Sequence, residues 1–164
     1  MPIREAIAAD FDAIADITNH YILHTPIHFG YEPQTGAELR ASWEKLRATH
    51  PFLVLLNDAG GGKVIGYAKA YRWRDRAAYD RTPEVGIYLR HGLQGKGLGK
   101  PLYAALIQAC RDKGMHSLVA GIALPNPGSI RLHESLGFLL VGTVRQAGWK
   151  FNQWHDAGFW QLIL

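Results

Sequence analysis

Three glycines at alternate positions punctuate the run Gln94-Gly95-Lys96-Gly97-Leu98-Gly99-Lys100, which lies between a strand-like and a helix-like segment. With no side chains at Gly95, Gly97 and Gly99, several backbone N–H groups can face the same way. At a helix N-terminus such amides are unpaired and the helix dipole adds to their attraction for an anion, so the run can cradle a phosphate. Lys96 or Lys100 can add a charge-assisted contact. Two other phosphate loops do not fit. The dinucleotide fingerprint spaces its third glycine more widely and needs an acid about twenty residues on. The P-loop requires Ser or Thr after Gly-Lys, whereas Gly99-Lys100 is followed by Pro101. The competing reading of the run is a flexible, soluble turn.

Other polar residues stand where chemistry could be done. Glu84 begins an apolar run that leads into the glycine loop, and His133 lies in a helix-like stretch beyond Asn126. Arg72 and Arg74 flank Trp73 in a bend that also holds Asp75 and Asp80. Cys110, the only cysteine, falls in an apolar helical pattern and reads as buried filler rather than a thiol nucleophile. His155 and Asp156 are adjacent, but no closed ligand set accompanies them. Strand alternation sends neighbouring side chains apart, so no metal is assigned.

The elements that must position these residues follow from periodicity. Ile3 to Ala6 reads as a short strand, and Asp10 as a cap before a helix carrying Phe11, Ile14, Ile17 and Tyr21 on one face. His24 to Pro33 reads as a loop, and 37–48 as a helix with Leu39, Trp43 and Leu46 together. Strands are expected at 52–56 and 64–71, joined through the turn Asn57-Asp58-Ala59-Gly60-Gly61-Gly62. Glu84–Leu89 is a further strand, and an amphipathic helix runs from Leu98 through Cys110. Leu118–Ile122 is a strand, after which Asn126 caps a helix with Pro127 at its first position and Gly137 at its close. Strands near 138–145 and 156–163 finish the chain. Helices and strands alternate in the second half and a hairpin stands in the first, which argues for an α/β mixed sheet with helices against it.

The length of 164 residues favours a single domain over 1–164, able to bury about 70% of the surface its unfolded chain would expose. Lys and Arg outnumber Asp and Glu by 18 to 14, but they are scattered rather than arranged as a stripe, so nucleic acid is not expected as a partner. A modest positive balance suits a small polyanionic cofactor. The start, Met1-Pro2-Ile3-Arg4-Glu5, lacks a signal peptide's apolar run, and Phe52-Leu53-Val54-Leu55-Leu56 is too short to span a bilayer. No membrane association is expected, and the location is read as cytoplasmic.

Gln94-Gly95-Lys96-Gly97-Leu98-Gly99 closely resembles the Gln/Arg-x-x-Gly-x-Gly/Ala acyl-CoA motif of the GNAT superfamily of N-acetyltransferases. The pattern is most similar to its phosphinothricin and methionine sulfoximine acetyltransferase branch. Glu84-Val85-Gly86-Ile87-Tyr88-Leu89 resembles that branch's acid-bearing strand, and Leu124 to Phe138 its second cofactor segment. Gly148-Trp149-Lys150-Phe151-Asn152-Gln153-Trp154-His155-Asp156, followed by Phe159-Trp160-Gln161, resembles its C-terminal signature. With Arg72 to Thr82, the likeness covers nearly the whole chain. It implies a fold in which two central parallel strands splay and the pantetheine of acetyl-CoA lies in the gap. It also implies cofactor contacts from Ile87, Tyr88 and Leu89, from Gln94, Gly95, Lys96, Gly97, Leu98, Gly99 and Lys100, and from Asn126 and Ser129.

The chemistry so implied is amide formation from a thioester, which needs a neutral amine, a stabilised oxyanion and a tolerable thiolate. Glu84 is the expected base, directly or through a water; burial must help, because a free carboxylate is a poor base at neutral pH. The plainer alternative is a strand-end glutamate facing solvent. The backbone N–H near Leu89 is the expected oxyanion donor by analogy. Many superfamily members carry a tyrosine where this chain has His133, which agrees instead with the branch. His133 could protonate or hold the sulfur, or else be a helix histidine packed by the sheet. For the acceptor, Arg72 and Arg74 could present a guanidinium to an α-carboxylate around Trp73, with Phe29, Tyr31 and Tyr79 walling the side chain. An exposed turn pinned by Asp75 and Asp80 is the alternative. Trp149, Trp154 and Trp160 are expected to form a packed cluster or a homodimer surface. The rival functions are a protein or peptide N-acetyltransferase, and an acyl-CoA sensor with no need of Glu84 or His133.

Overall fold

The computed structural model describes residues 1–58 and 62–164. Among these residues one sheet contains β1 (Ile3–Glu5), β2 (Phe52–Asn57), β3 (Lys63–Tyr71), β4 (Glu84–Leu89), β5 (Ser117–Ala123), β6 (Leu139–Lys150) and β7 (Gln153–Ile163). The helices are α1 (Phe11–His24), α2 (Gly36–Leu46), α3 (Gly99–Asp112) and α4 (Pro127–Glu134). The strand order is β1-β2-β3-β4-β5-β7-β6, antiparallel throughout except between β4 and β5. This is the expected α/β mixed sheet. The turn expected between β2 and β3 includes Ala59, Gly60 and Gly61, which lie outside the described residues.

Each face of the sheet has its own core. The apolar side of α3, with Leu102, Tyr103, Leu106 and Cys110 fully buried, packs on Leu55, Ala68, Val85, Leu118 and Ala120. Burying each such leucine is worth about 1.5–3 kcal/mol. On the other face α1 lays Phe11, Ile14, Ile17 and Tyr21 against Val54, Val64 and Tyr67, with Leu39 and Trp43 of α2 alongside. Thr18 Oγ1 donates to Ile14 O, so the buried Tyr67 hydroxyl donates to Thr18 Oγ1 and neither is stranded.

The local start and stop signals act largely as expected. Asn126 Oδ1 accepts from Ser129 N–H with Pro127 at the first position of α4, and α2 starts on a reciprocal Thr35–Glu38 capping box that was not singled out from the sequence. Asp10 is the exception, because its carboxylate makes no cap on α1. It accepts instead from Ile7 N–H at the head of a 3-10 turn (Ala8–Asp10) and pairs with Arg4. The C-terminal strands are longer than expected and form one hairpin, turned by Phe151 and Asn152 at positive φ. The tryptophans also divide. Trp149 and Trp154 face each other on the exposed hairpin, while Trp160 is buried and donates from Nε1 to Glu134.

Candidate active site

The parallel pair β4 and β5 is in register only at Glu84–Val119; beyond that point the strands part. A cavity of about 510 Å³ occupies the fork. Ile87, Tyr88 and Leu89 line one side, and Gly121, Ile122 and Ala123 the other. The cavity continues past Gln94, Gly95, Gly97, Leu98, Gly99 and Lys100 to Asn126, Ser129 and His133. Of the residues expected to hold the cofactor, Lys96 alone does not line it; its place in the loop is exposed.

The glycines serve two different needs. Gly95 and Gly97 have φ of +75° and +78°, where a side chain is strained and where one would meet open space. Gly99 has ordinary φ, but a Cβ there would lie 3.3 Å from Leu132 and 3.7 Å from Ile87, so its absence lets α3 start close to β4 and α4. The first amides of α3 therefore open onto the cavity beside Lys100, with Arg131 on the facing helix. That arrangement of donors and cations fits a diphosphate. The loop is tied back by Gln94, whose Oε1 accepts from Gly92 N–H and whose Nε2 donates to the Tyr21 hydroxyl. Tyr21 in turn donates to Leu89 O at 2.6 Å. Tyr21, Ile27 and Arg131 line the cavity and were not singled out from the sequence. Tyr21 sits in the apolar stripe of α1, where a tyrosine reads as core.

Glu84 stands at the base of the fork, half-buried. Its Oε1 lies over Gly121, where any Cβ would fall 3.1 Å from it. Burial pushes its carboxyl above the ordinary value, opposed by a hydrogen bond from Tyr71 and by the charges of Arg74 and Lys69. The face of β4 that carries Glu84 also carries Gly86 and Tyr88, opposite Tyr71, Lys69 and Tyr67 of β3.

His133 is 3% exposed, and both ring nitrogens are engaged. Nδ1 is 2.7 Å from Ser129 O, a carbonyl that can only accept, so Nδ1 carries the proton. Nε2 then accepts from the Tyr103 hydroxyl at 3.0 Å. Burial lowers the imidazole's pKa, so the ring is neutral at pH 7. Nε2 must give up the Tyr103 hydroxyl before it can face a sulfur.

The residues expected on the acceptor side do not line the main cavity. Arg72 pairs with Asp80 at 3.5 Å and donates to Asp75 O, which is the pinned-turn arrangement. Arg74 lies over the Trp73 ring at 5.1 Å, and Trp73 meets Tyr79 edge-on. Phe29 packs against the hairpin at Gly148, beside His155, and the Tyr31 hydroxyl donates to Trp149 O. The loop of 25–33 is thus docked on β6–β7. His155 is buried with Nε2 donating to Lys150 O, while Asp156 accepts from Gln146 N–H. The adjacent pair points to separate partners.

Comparison with known proteins agrees with this geometry. The Acetyltransferase (GNAT) family matches residues 16–138. Phosphinothricin N-acetyltransferase of Streptomyces viridochromogenes is 46% identical over 159 residues, covering 97% of this chain and 85% of its own length. The L-methionine sulfoximine/L-methionine sulfone acetyltransferase of Salmonella typhimurium is 40% identical over 164 residues, covering 100% and 94%. The yncA acetyltransferase from Salmonella typhimurium, solved with its cofactor acetyl-CoA, superposes with a TM-score of 0.95 at 39% identity, over 100% of this chain and 94% of that one. The chain belongs to the GNAT family of acetyltransferases.

Proposed function

We propose that residues 1–164 form one N-acetyltransferase domain that moves acetyl from acetyl-CoA to the α-amino group of a small amino acid or analogue, by direct attack in a ternary complex. The expected acceptors are of the phosphinothricin, methionine sulfoximine or methionine sulfone type, the compounds named for its relatives. The observation that carries the reading is a glycine-built anion cradle opening into the β4–β5 fork, with one half-buried carboxylate at the fork's base.

Acetyl-CoA is the cofactor, and it supplies an acetyl thioester. Ile87–Leu89 present the strand edge to the pantetheine, and Gln94–Lys100 with Arg131 hold the diphosphate. Asn126 and Ser129 close the far wall. An amino acid's ammonium cannot attack until a base removes its proton, and Glu84 takes it. Its raised pKa brings the carboxylate nearer to that task than an ordinary glutamate. His133, neutral and held by Ser129 and Tyr103, shapes the thiol end of the cavity and offers a hydrogen bond to the sulfur once Tyr103 releases Nε2. Arg74, exposed and near Glu84, takes the α-carboxylate, while Arg72 holds the bend in place. Phe29 and Tyr79 flank the acceptor's side chain.

The domain acts as a cytoplasmic homodimer in this reading. The outer strand β6 is exposed along most of its length, with Leu139 at 75% and Val141 at 66%, next to the Trp149–Trp154 pair. Long apolar edge strands are normally covered. A thiol-release assay with acetyl-CoA against the three analogues, common L-amino acids, polyamines and short peptides tests the function. Turnover of the analogues is expected. Efficient turnover of peptides or polyamines alone would overturn the acceptor class and leave acetyl transfer standing.

A further inference from the structure

Among the described residues Lys69 is a cation with no salt bridge, on the face of β3 that adjoins Glu84. It lies on β3 directly opposite Gly86 of β4, two register positions from the Tyr71–Glu84 pair and on the same face. Among the described residues its ammonium has no hydrogen-bond acceptor and no carboxylate within salt-bridge distance; its recorded contact is the Tyr71 ring at 5.1 Å. The stem runs along a small cavity of about 70 Å³ shared with Tyr71 and Trp43. The charge lies close enough to Glu84 to lower that carboxyl's pKa, and close enough to His28 to lower the imidazole's. Lys69 lines that small cavity and not the main one, within electrostatic reach of both Glu84 at the base of the fork and His28 in the loop. Desolvation in turn disfavours its own charged form and outweighs the opposing pull of the Glu84 charge.

The space over Gly86, the residue opposite Lys69, is open. Gly86 lines the main cavity, and a Cβ built on it would meet only Tyr88, at 3.8 Å. A half-buried ammonium with no hydrogen-bonded partner costs free energy unless something arrives to pair with it. Glu84 cannot serve, because tying it to Lys69 would remove the base from the reaction. Arg74 already stands nearer the solvent side for a first carboxylate. An acceptor bound with its amine at Glu84 would extend its side chain over Gly86, beneath His28.

We propose that Lys69 pairs with a negative charge on the acceptor's side chain, so that this enzyme selects amino acids carrying a second acidic group over neutral isosteres. The proposal rests on the acceptor class given under Proposed function and narrows it. Phosphinothricin and methionine sulfone form a matched pair for it: both end in a methyl and two oxygens on a tetrahedral centre, but the phosphinate is anionic and the sulfone neutral.

The test measures kcat/KM for both compounds in the wild type, Lys69→Met and Lys69→Arg, with acetyl-CoA affinity and thermal melting as checks on folding. The wild type is expected to prefer phosphinothricin by about tenfold or more, the usual worth of a hydrogen bond to a charged group. Lys69→Met should lose that preference by slowing phosphinothricin alone, and Lys69→Arg should keep part of it. A preference unchanged in Lys69→Met, or an equal fall for both acceptors, overturns the role of Lys69 and leaves the acceptor class intact. An equal fall that tracks a displaced pH profile would make Lys69 a positioning residue for Glu84 instead. Wild-type turnover of neither compound overturns both readings together.

Discussion

Glu84 balances desolvation against three favourable neighbours, and the direction of its pKa decides what pH should do. Burial, the largest influence, raises the carboxyl above its ordinary value; Tyr71, Arg74 and Lys69 pull it back. The ionised base is therefore lost as pH falls through a value above that of a free glutamate, and transfer should slow with it. Glu84→Gln should leave acetyl-CoA affinity unchanged and lower kcat by about 100-fold or more. Because the folded pKa is raised, Glu84's contribution to stability is present at low pH and fades as pH rises through that value. Glu84→Gln should thus melt no lower than the wild type at neutral pH, and a lower melt with a normal rate would make this glutamate structural. His133 behaves in the opposite sense. Its lowered pKa means that below the ordinary imidazole value the unfolded chain takes a proton which the fold refuses, so stability declines with acid. His133→Ala strands the buried Tyr103 hydroxyl and should cost about 1–3 kcal/mol in urea unfolding, with a smaller loss of rate than Glu84→Gln. His133→Gln, which can again accept from Tyr103, should recover much of that stability.

At the scale of elements, the site is a junction between the end of β4, the glycine loop and the start of α3. Gly97, like Gly95, is exacting in conformation rather than in space: its φ of +78° excludes most side chains, while nothing lies within 4 Å of a Cβ built there. Gly97→Ala should cost about 1 kcal/mol of backbone strain and weaken acetyl-CoA binding modestly. Gly97→Asp adds charge repulsion against the diphosphate and should abolish binding in calorimetry. Unchanged affinity in a folded Gly97→Asp protein would remove the loop from the site. The Gln94–Tyr21–Leu89 relay belongs to the same junction, joining the loop to α1 and to the strand end.

At the scale of the molecule, the C-terminal hairpin positions the acceptor loop. Lys150 is buried and its ammonium donates to Ile22 O, near the end of α1, and to His28 O in the loop; a cation there also suits the helix dipole. Phe29 rests on Gly148 of the same hairpin. Lys150→Met should loosen the loop, raising the acceptor's KM while leaving acetyl-CoA affinity near the wild-type value. On the hairpin's outer strand, Val141→Lys should split the proposed dimer. Sedimentation would then report a monomer for the variant and a dimer for the wild type. A wild-type monomer at micromolar concentration would end the homodimer reading.

What the amino-acid sequence determined by itself was local. The positive-φ glycines, the Asn126–Pro127 helix start, the amphipathic α3 and the burial of Cys110 each depend on backbone sterics, capping or a period of a few residues. Those signals, with the family likeness they supported, named Ile87–Leu89, the loop, Asn126, Ser129 and His133, and of these all but Lys96 line one cavity. Only the tertiary structure decided which distant side chains meet there. Tyr21 reaches Gln94 across 73 residues, and Lys150 reaches Ile22 across 128. Trp160 turned inward while Trp149 and Trp154 stayed outside, and Asp10 left its helix for Arg4. Lys69 came to face Gly86 through the β3–β4 register. A register sets the partner of every residue along two strands at once. It arises from the summed packing of both faces of the sheet, so no short stretch of sequence contains it.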